Sequence, residues 1–216
     1  IEPADAVAQS LAALQWLRQH GAQQIYFKYC STFDSWYQGE VRGNIGPVTQ
    51  ALMQALHADF TIATPAFPDN GRTVFKGHLF VGDVLLSESS MKDHPLTPMR
   101  DANLVRVMQA QCRSKVGLID HRAVADSAAA VRQQIARLRA EGVRIAIVDA
   151  VSNDDLVRLG PALRDMPLLT AGSGVAIALP ANFGLHVDPG TSRLPAPSGR
   201  QAILSGSCSQ ATLAQV

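Results

Sequence analysis

The segment "KVGLI" at residues 115–119 is the first of three short apolar stretches whose spacing decides the fold. "RIAIVDA" (144–150) and "PLLTA" (167–171) follow it, and each has the length and composition of a buried strand. Amphipathic stretches near 122–140 and 153–164 separate the three and predict helices. Short apolar strands that alternate with helices are typical of an α/β fold, with a layered and mostly parallel sheet covered by helices on both faces.

The first part of the chain continues this alternation. Residues 4–20 carry apolar side chains at helical spacing, and "QIYFKY" (24–29) after them predicts a short strand. "PVTQALMQALH" (47–57) begins with a proline that suits a first helical turn. "FTIATPAF" (60–67) predicts a second buried strand, whereas 68–100 shows no sustained period and is predicted to be irregular.

A segment rich in Pro, Gly and Ser, "GLHVDPGTSRLPAPSG" (184–199), is the clearest predicted linker. We expect it to separate a first domain at 1–183 from the beginning of a second α/β domain at 200–216. Shortly before the regular strands, residues 101–112 predict a helix with Asp101 as its cap.

Composition excludes several classes of protein. The chain has 216 residues, 47% of them hydrophobic, and a net charge of +1 without runs of like charge. We therefore expect neither a nucleic-acid nor a membrane partner. Cys30, Cys112 and Cys208 are too widely spaced for a disulfide framework or a metal site, which favours a cytoplasmic location. The ends, Ile1 and a final helix that has only begun, suggest a fragment.

The first polar cluster is "KYCSTFDS" (28–35), directly after a predicted strand. Ligands of open α/β sheets bind outside the carboxyl ends of the strands, and this loop has such a position. Lys28 is suited to a carboxylate, while Ser31, Thr32 and Asp34 are suited to hydroxyl groups. The alternative is that these short polar side chains only cap the local backbone.

The second cluster is "PAFPDNGRTVFKGHLFVGD" (65–83). Asn70, Arg72 and His78 bring an amide, a guanidinium and an imidazole into a segment without strong periodicity. We expect them to form a second wall of the same pocket. The alternative is that each of them is an ordinary surface or packing residue.

Two further segments combine a strand, small residues and a helix. In "TAGSGVAIAL" (170–179) the glycines favour close packing over anion binding, although backbone amides at a helix start bind anions in other proteins. In "ILSGSCSQATLAQV" (203–216), Ser207 and Ser209 lie where a nucleotide phosphate or ribose docks, or where a helix is capped. Neither segment contains GxGxxG or a Walker A loop, which argues against an oxidoreductase with a nucleotide cofactor.

Five segments together resemble the four-carbon acid sugar kinase family, and within it the branch that acts on 3-oxo-tetronate. They are "FKYCSTFDS", "GNIGPV", "ADFTIATPAFPDNGRTVFKGHLFVGDVLLSES", "HPLTPMRDANLVRV" and "SGSCSQAT". The resemblance implies that 1–183 is an acid-sugar-binding domain and that 200–216 begins a nucleotide-binding domain. It also implies transfer of the γ-phosphoryl group of ATP, with Mg²⁺, to the terminal hydroxyl of a four-carbon sugar acid.

The resemblance assigns site residues as well. It implies that Ser207, or alternatively Ser209, contacts ATP, and that Asp34 is a candidate catalytic group, with no other catalytic residue identified. The residues that it implies for the sugar acid are Lys28, Ser31, Thr32, Asp34, Asn44, Asn70, Arg72 and His78.

The chain departs from the family pattern in three places. It lacks the first strand with its Asp-Asp-x-Thr-Gly-Ala motif, it lacks the later glycine-rich ATP loops of the second domain, and "WYQGEVR" (36–42) is an insertion in the presumed sugar loop. A non-catalytic sugar-acid-binding or sensor module is therefore the alternative function. The expected partners are a sugar acid and ATP, and a homo-oligomer is left open.

Overall fold

The computed structural model describes residues 1–33, 36–37, 41–94, 97–186, 188, 190, 196, 198–200, 202, 204 and 210–215. The chain divides into two compact units, Ile1–Leu185 and His186–Val216. In the described part of the second unit, the regular element is a short helix at its end. None of the helices in the described part combines the length and the apolar character needed to cross a bilayer.

The first unit contains ten strands and seven α-helices among its described residues. In chain order they are α1 (Pro3–Gln19), β1 (Ile25–Lys28), β2 (Trp36–Tyr37), β3 (Val41–Arg42), α2 (Ile45–Ala55), β4 (Thr61–Thr64), β5 (Arg72–Phe75), β6 (His78–Val81), β7 (Val84–Leu85), α3 (Leu104–Gln111), β8 (Lys115–Ile119), α4 (His121–Asp126), α5 (Ala128–Ala140), β9 (Val143–Val148), α6 (Asn153–Leu159), β10 (Leu168–Ala171) and α7 (Leu179–Asn182). The helix of the second unit is α8 (Gln210–Gln215).

Five of the strands form one parallel sheet in the order β1-β10-β4-β9-β8. The chain moves across the sheet in one direction from β1 to β4 and on to β8. It then moves back in the opposite direction from β8 to β9 and on to β10. Because such crossovers are right-handed, α2 and α3 cover one face and α5 and α6 the other. Packing agrees, since α1, α2 and α3 contact one another in series, as do α4, α5 and α6. The predicted α/β fold is confirmed.

The central strands are buried along their whole length, as expected for a sheet covered on both faces. Their buried hydroxyl groups are bonded within the sheet, since Thr61 Oγ1 donates to Leu168 O at 2.9 Å and Thr170 Oγ1 donates to Ile62 O at 2.9 Å. These bonds connect β4 and β10 in addition to the backbone ladder. The sheet therefore gives a rigid base to the loops at its ends.

The prediction of an irregular segment at 68–100 is wrong in part. Strands β5, β6 and β7 form a three-stranded antiparallel sheet there. Lys76 and Gly77 join β5 to β6 with φ angles of 53° and 72°, the left-handed conformations that a tight hairpin turn requires. Strands of two to four residues are too short to show a period, which explains why the sequence pattern missed them.

Two helix boundaries differ from prediction. Helix α3 is capped by Asn103, whose Oδ1 accepts from Arg106 N at 3.0 Å, and not by Asp101. The single helix predicted near 122–140 is two helices, because the Ser127 side chain accepts from Ala130 N at 3.1 Å and starts a new one. Strands β2 and β3, within the expected insertion at 36–42, pair with each other.

Candidate functional site

The loops that follow the five parallel strands meet at one end of the sheet, which we call the carboxyl edge. These loops begin at Tyr29, Pro65, Asp120, Asp149 and Gly172. Helices α2, α4 and α6 also start there, because each follows one of these loops. Parallel α/β sheets bind their ligands at this edge, so the predicted site residues are considered by their position on it.

Strand β1 ends at the carboxyl edge with Lys28. Lys28 is exposed and lies opposite Ala171 of β10, and its side chain has no hydrogen-bond or ion-pair partner in the part of the chain that the structure describes. Ser31 is half-buried and Thr32 is buried, with its hydroxyl 3.1 Å from the Cys30 sulfur. Asp34 lies outside the described residues.

A strained residue holds this loop in place. Phe33 has a φ of 55°, which costs a residue other than glycine about 1–3 kcal/mol. It is fully buried, its N–H donates to Cys30 O at 3.0 Å, and its ring packs edge-on against Tyr29 with centroids 5.2 Å apart. Core packing thus fixes the turn that carries Ser31 and Thr32.

The loop after β4 brings Asn70 and Arg72 together. A 3₁₀ turn, Pro68–Asn70, is followed by Gly71 at a φ of 62°, which reverses the chain into β5. Arg72 Nη1 donates to Asn70 O at 2.7 Å, so the guanidinium lies on the turn. These two predicted residues share one loop of the carboxyl edge.

His78 and Asn44 are placed apart from this turn. Arg72 and His78 lie at opposite ends of the β5–β6 ladder, because Arg72 pairs with Val81 and His78 with Phe75. The His78 ring nitrogens are 2.8 Å from Lys76 O and 3.3 Å from Asn103 Nδ2.

Asn44 precedes α2, and its Nδ2 donates to Ile1 O at 3.2 Å. The residues predicted to contact ATP, Ser207 and Ser209, lie outside the described residues.

Asn153 is a residue of this edge that the sequence pattern missed. It begins α6 after β9, and its Nδ2 donates to Asp69 Oδ1 at 2.7 Å, so it reaches the turn that carries Arg72. The signal was the run "SNDD" (152–155) at the end of a strand. The preference of helix starts for acidic residues gives that run an ordinary explanation, which holds for Asp155 but does not account for Asn153.

Asp149 organises the middle of the carboxyl edge. Its fully buried carboxylate accepts from Lys76 N and Gly77 N, each at 2.8 Å, and from His121 N at 3.0 Å. One side chain therefore fixes the β5–β6 turn and the start of α4 to the end of β9. Burial raises the pKa of Asp149, although its three N–H bonds act in the opposite direction.

Asp155 caps the start of α6. Its carboxylate is 1% exposed, accepts from Val151 N at 2.9 Å, and bonds Arg158 Nη2 at 2.5 Å and His121 Nε2 at 3.3 Å. Burial opposes ionisation, but the Val151 N–H and the Arg158 guanidinium outweigh it and hold the pKa of Asp155 below its usual value.

We expect Asp155 to make the fold sensitive to acid. A carboxyl group with a lowered pKa in the folded state stabilises the protein above its unfolded pKa of about 4, and this contribution is lost as the pH falls through the folded value. In urea unfolding followed by circular dichroism between pH 6 and pH 3, Asp155→Asn should lose less stability than the parent. Asp154→Asn, at an exposed neighbour, should lose as much stability between pH 6 and pH 3 as the parent does. Equal losses in all three proteins would contradict the assignment.

The glycines of "TAGSGVAIAL" serve packing, as the sequence favoured. A Cβ on Gly174 would lie 2.2 Å from Ala66 O, and a Cβ on Gly172 would lie 3.0 Å from Pro65 O. The segment after Gly172 is a 3₁₀ turn, Ser173–Ala178, that packs on the loop after β4. The loop that leads to Arg72 therefore packs directly on Gly172 and Gly174, where a larger residue would clash with the loop backbone.

Gly174→Ala should displace this loop. The added methyl group clashes with backbone, and overpacking of this kind costs about 1–3 kcal/mol. We expect a lower urea midpoint with an unchanged slope, and weaker ligand binding at the carboxyl edge. Ser173→Ala, at an exposed neighbour, is the control and should leave both unchanged. An unaltered midpoint for Gly174→Ala would show that the loop is not held as described.

A groove of about 420 Å³ lies between α1 and α2, at the ends of the two helices far from the carboxyl edge. Its lining residues are Leu11, Leu14, Gln15, Arg18, Gln19 and Ala55. In the described part of the chain, no three His, Cys, Asp or Glu side chains are grouped to hold a metal ion.

Sequence comparison identifies the domain. The model of the family described as "Sugar-binding N-terminal domain" matches residues 1–179. The chain belongs to this family. The sugar-binding domain is 58% identical over 216 residues to a 3-oxo-tetronate kinase of Pseudomonas savastanoi pv. phaseolicola, covering 99% of this chain and 49% of the relative. A 3-oxo-tetronate kinase of Haemophilus influenzae is 51% identical over 212 residues, covering 98% and 50%.

Solved structures agree with these relatives. The sugar-binding domain superimposes on the crystal structure of a Haemophilus influenzae protein with a TM-score of 0.82 and 50% identity, over 100% of this chain and 51% of the other. A Bordetella bronchiseptica domain of unknown function, a domain-swapped dimer with bound citrate, gives a TM-score of 0.67 and 25% identity, over 85% and 42%. The resemblance to four-carbon acid sugar kinases is confirmed, and the chain spans about half the length of its curated relatives.

Proposed function

We propose that this sugar-binding domain is the substrate-binding half of an ATP-dependent kinase that phosphorylates the terminal hydroxyl of a four-carbon sugar acid such as 3-oxo-tetronate. The observation that carries the proposal is Lys28. A lysine with an exposed side chain that lacks a partner in the described part of the chain stands at the carboxyl edge of a sugar-binding domain, and two hydroxyl residues follow it in the next loop. The names of relatives at 51–58% identity support the same substrate.

In this proposal Lys28 binds the carboxylate of the sugar acid. A charge-assisted bond at one end of a short ligand, combined with hydroxyl contacts from Ser31 and Thr32, fixes its direction. The remaining members of the proposed sugar-acid site are Asp34, Asn44, Asn70, Arg72 and His78. Asn70 and Arg72 share one turn of the carboxyl edge, which supports their inclusion.

Phosphoryl transfer needs mainly positioning and charge stabilisation. The domain contributes the positioning. Its sheet holds the residues that bind the carboxylate end of the sugar acid, which leaves the terminal hydroxyl at the other end available for phosphorylation. Bound Mg²⁺ supplies charge neutralisation on the phosphates of ATP. The described residues offer no group of ligands for it, so we assign no residue of this chain to Mg²⁺. Ser207 or Ser209 is proposed to contact ATP.

Turnover tests the proposal. This chain replaces the matching segment of the Pseudomonas fluorescens 3-oxo-tetronate kinase, to which it is 58% identical, and ADP release is measured with a panel of four-carbon sugar acids, ATP and Mg²⁺. We expect turnover with at least one of them. Binding of a sugar acid without ADP release would replace the kinase by the non-catalytic binding module. If the chimera neither binds a sugar acid nor turns one over, both the kinase and the binding module are contradicted.

We also propose that the protein works in the cytoplasm as a homo-oligomer. Cys30 and Cys112 are free thiols, as expected in a reducing compartment, and burial raises the pKa of Cys112 to about 12. The domain-swapped dimer of the Bordetella bronchiseptica domain supports self-association. Light scattering coupled to size exclusion tests it, and a monomer at all concentrations would contradict it.

A further inference from the structure

Two polar atoms at the carboxyl edge are buried without a hydrogen bond. Among the residues that the structure describes, Arg72 Nε and Asn153 Oδ1 are both closed to solvent and have no partner. Buried polar atoms are nearly always bonded, because an unsatisfied one has lost its hydrogen bonds to water without gaining others. An open donor and an open acceptor at the ligand-binding edge of an α/β sheet therefore indicate a function.

Both side chains are held on the same three-residue turn. Arg72 approaches Pro68–Asn70 from β5 and donates through Nη1 to Asn70 O at 2.7 Å. Asn153 approaches it from α6 and donates through Nδ2 to Asp69 Oδ1 at 2.7 Å. In each case one polar atom of the side chain bonds to the turn, and a second polar atom has no hydrogen-bond partner. Two elements that are distant in sequence thus converge on one small region.

The open atoms define what they can bind. Arg72 Nε is only a donor, and Asn153 Oδ1 is only an acceptor. A hydroxyl group satisfies both, because it accepts one hydrogen bond and donates another. A carboxylate or ketone oxygen can accept from Arg72 but has no proton for Asn153, whose oxygen would repel it. The pair is therefore matched to a hydroxyl group and discriminates against an oxo group.

We propose that Asn153 and Arg72 form a subsite for the C2 or C3 hydroxyl group of the sugar acid, with Asn153 Oδ1 as its acceptor. This inference rests on the proposed function and adds to it the residue that distinguishes hydroxyl from oxo. The exposed Asp69 carboxylate accepts from Asn153 Nδ2 and so fixes the orientation of the Asn153 amide. Because both atoms are closed to solvent, a hydroxyl group reaches them only when a side chain on the turn moves.

The test combines one substitution with three ligands. Calorimetric titration compares the parent chain with Asn153→Ala for L-threonate and for two acids that each lack one hydroxyl, 3,4-dihydroxybutanoate and 2,4-dihydroxybutanoate. We expect Asn153→Ala to weaken L-threonate binding about tenfold, the effect of one hydrogen bond. For the acid that lacks the recognised hydroxyl, the same substitution should change the dissociation constant less than about twofold.

Ligand dependence separates recognition from structural support. If Asn153 only holds the turn through Asp69, the substitution weakens all three acids by the same factor, and this result or no weakening at all overturns the subsite. Asp154→Ala, at the exposed next residue, is the matched control and should bind all three like the parent. If Asn153→Ala fails to fold, Arg72→Lys removes Nε while keeping the charge and should show the same ligand dependence. A parent chain that binds none of the acids overturns the proposed function itself.

Discussion

Lys28→Ala should lower kcat/KM for a four-carbon sugar acid by about a hundredfold or more, the loss expected when a charged hydrogen-bond donor is removed from a substrate carboxylate. The measurement uses the chimeric kinase described above. Lys28 is exposed and has no partner among the described residues, so the fold should not depend on it. The loss should therefore appear in substrate binding and turnover without a change in the urea midpoint.

Two further variants sharpen this prediction. Lys28→Arg keeps the charge and should recover part of the activity, because the contact is electrostatic. Lys92→Ala, at another exposed lysine, should have the activity of the parent. An active Lys28→Ala enzyme with a parental KM would show that the carboxylate is bound elsewhere.

Asp149→Ala should destabilise the sugar-binding domain by about 3–5 kcal/mol, because three buried or half-buried N–H donors lose their acceptor. The amides of Lys76 and Gly77 should lose protection in hydrogen exchange, since the hairpin turn is then no longer fixed to β9. Urea unfolding gives the magnitude. Asp83→Ala, at an exposed position in the next turn, is the control and should stay within about 0.5 kcal/mol of the parent. A midpoint for Asp149→Ala close to that of the control would contradict the role assigned to this carboxylate.

The sequence predicted the central sheet because its strands carry their own signal. "KVGLI" is strand β8 to the residue, and "RIAIVDA" and "PLLTA" overlap β9 and β10 closely. Burial on both faces requires a continuous apolar run, and such a run is visible without any partner. The β5–β7 sheet carried no such signal, because its strands are short and depend on Asp149, a residue about seventy positions away, to fix their first turn.

The proposed site residues carry weaker signals in the sequence. Lys28 was predicted because it opens a run of polar side chains next to an apolar strand, and Arg72 because it lies with Asn70 around a glycine turn. His78 was grouped with them by proximity in sequence, and the β5–β6 ladder places it three residues from Arg72 along the sheet. Asn153 was missed because polarity at a helix start has a local explanation, and its bond to Asp69 spans 84 positions.

The most direct test of the account is calorimetric titration of the 216-residue chain with L-threonate and, in parallel, with butanoate, which has the same carboxylate and length without hydroxyl groups. We predict saturable binding of L-threonate at one site, lost in Lys28→Ala, and no measurable binding of butanoate. Equal binding of the two acids, or L-threonate binding that survives Lys28→Ala unchanged, would contradict a sugar-acid site at the carboxyl edge.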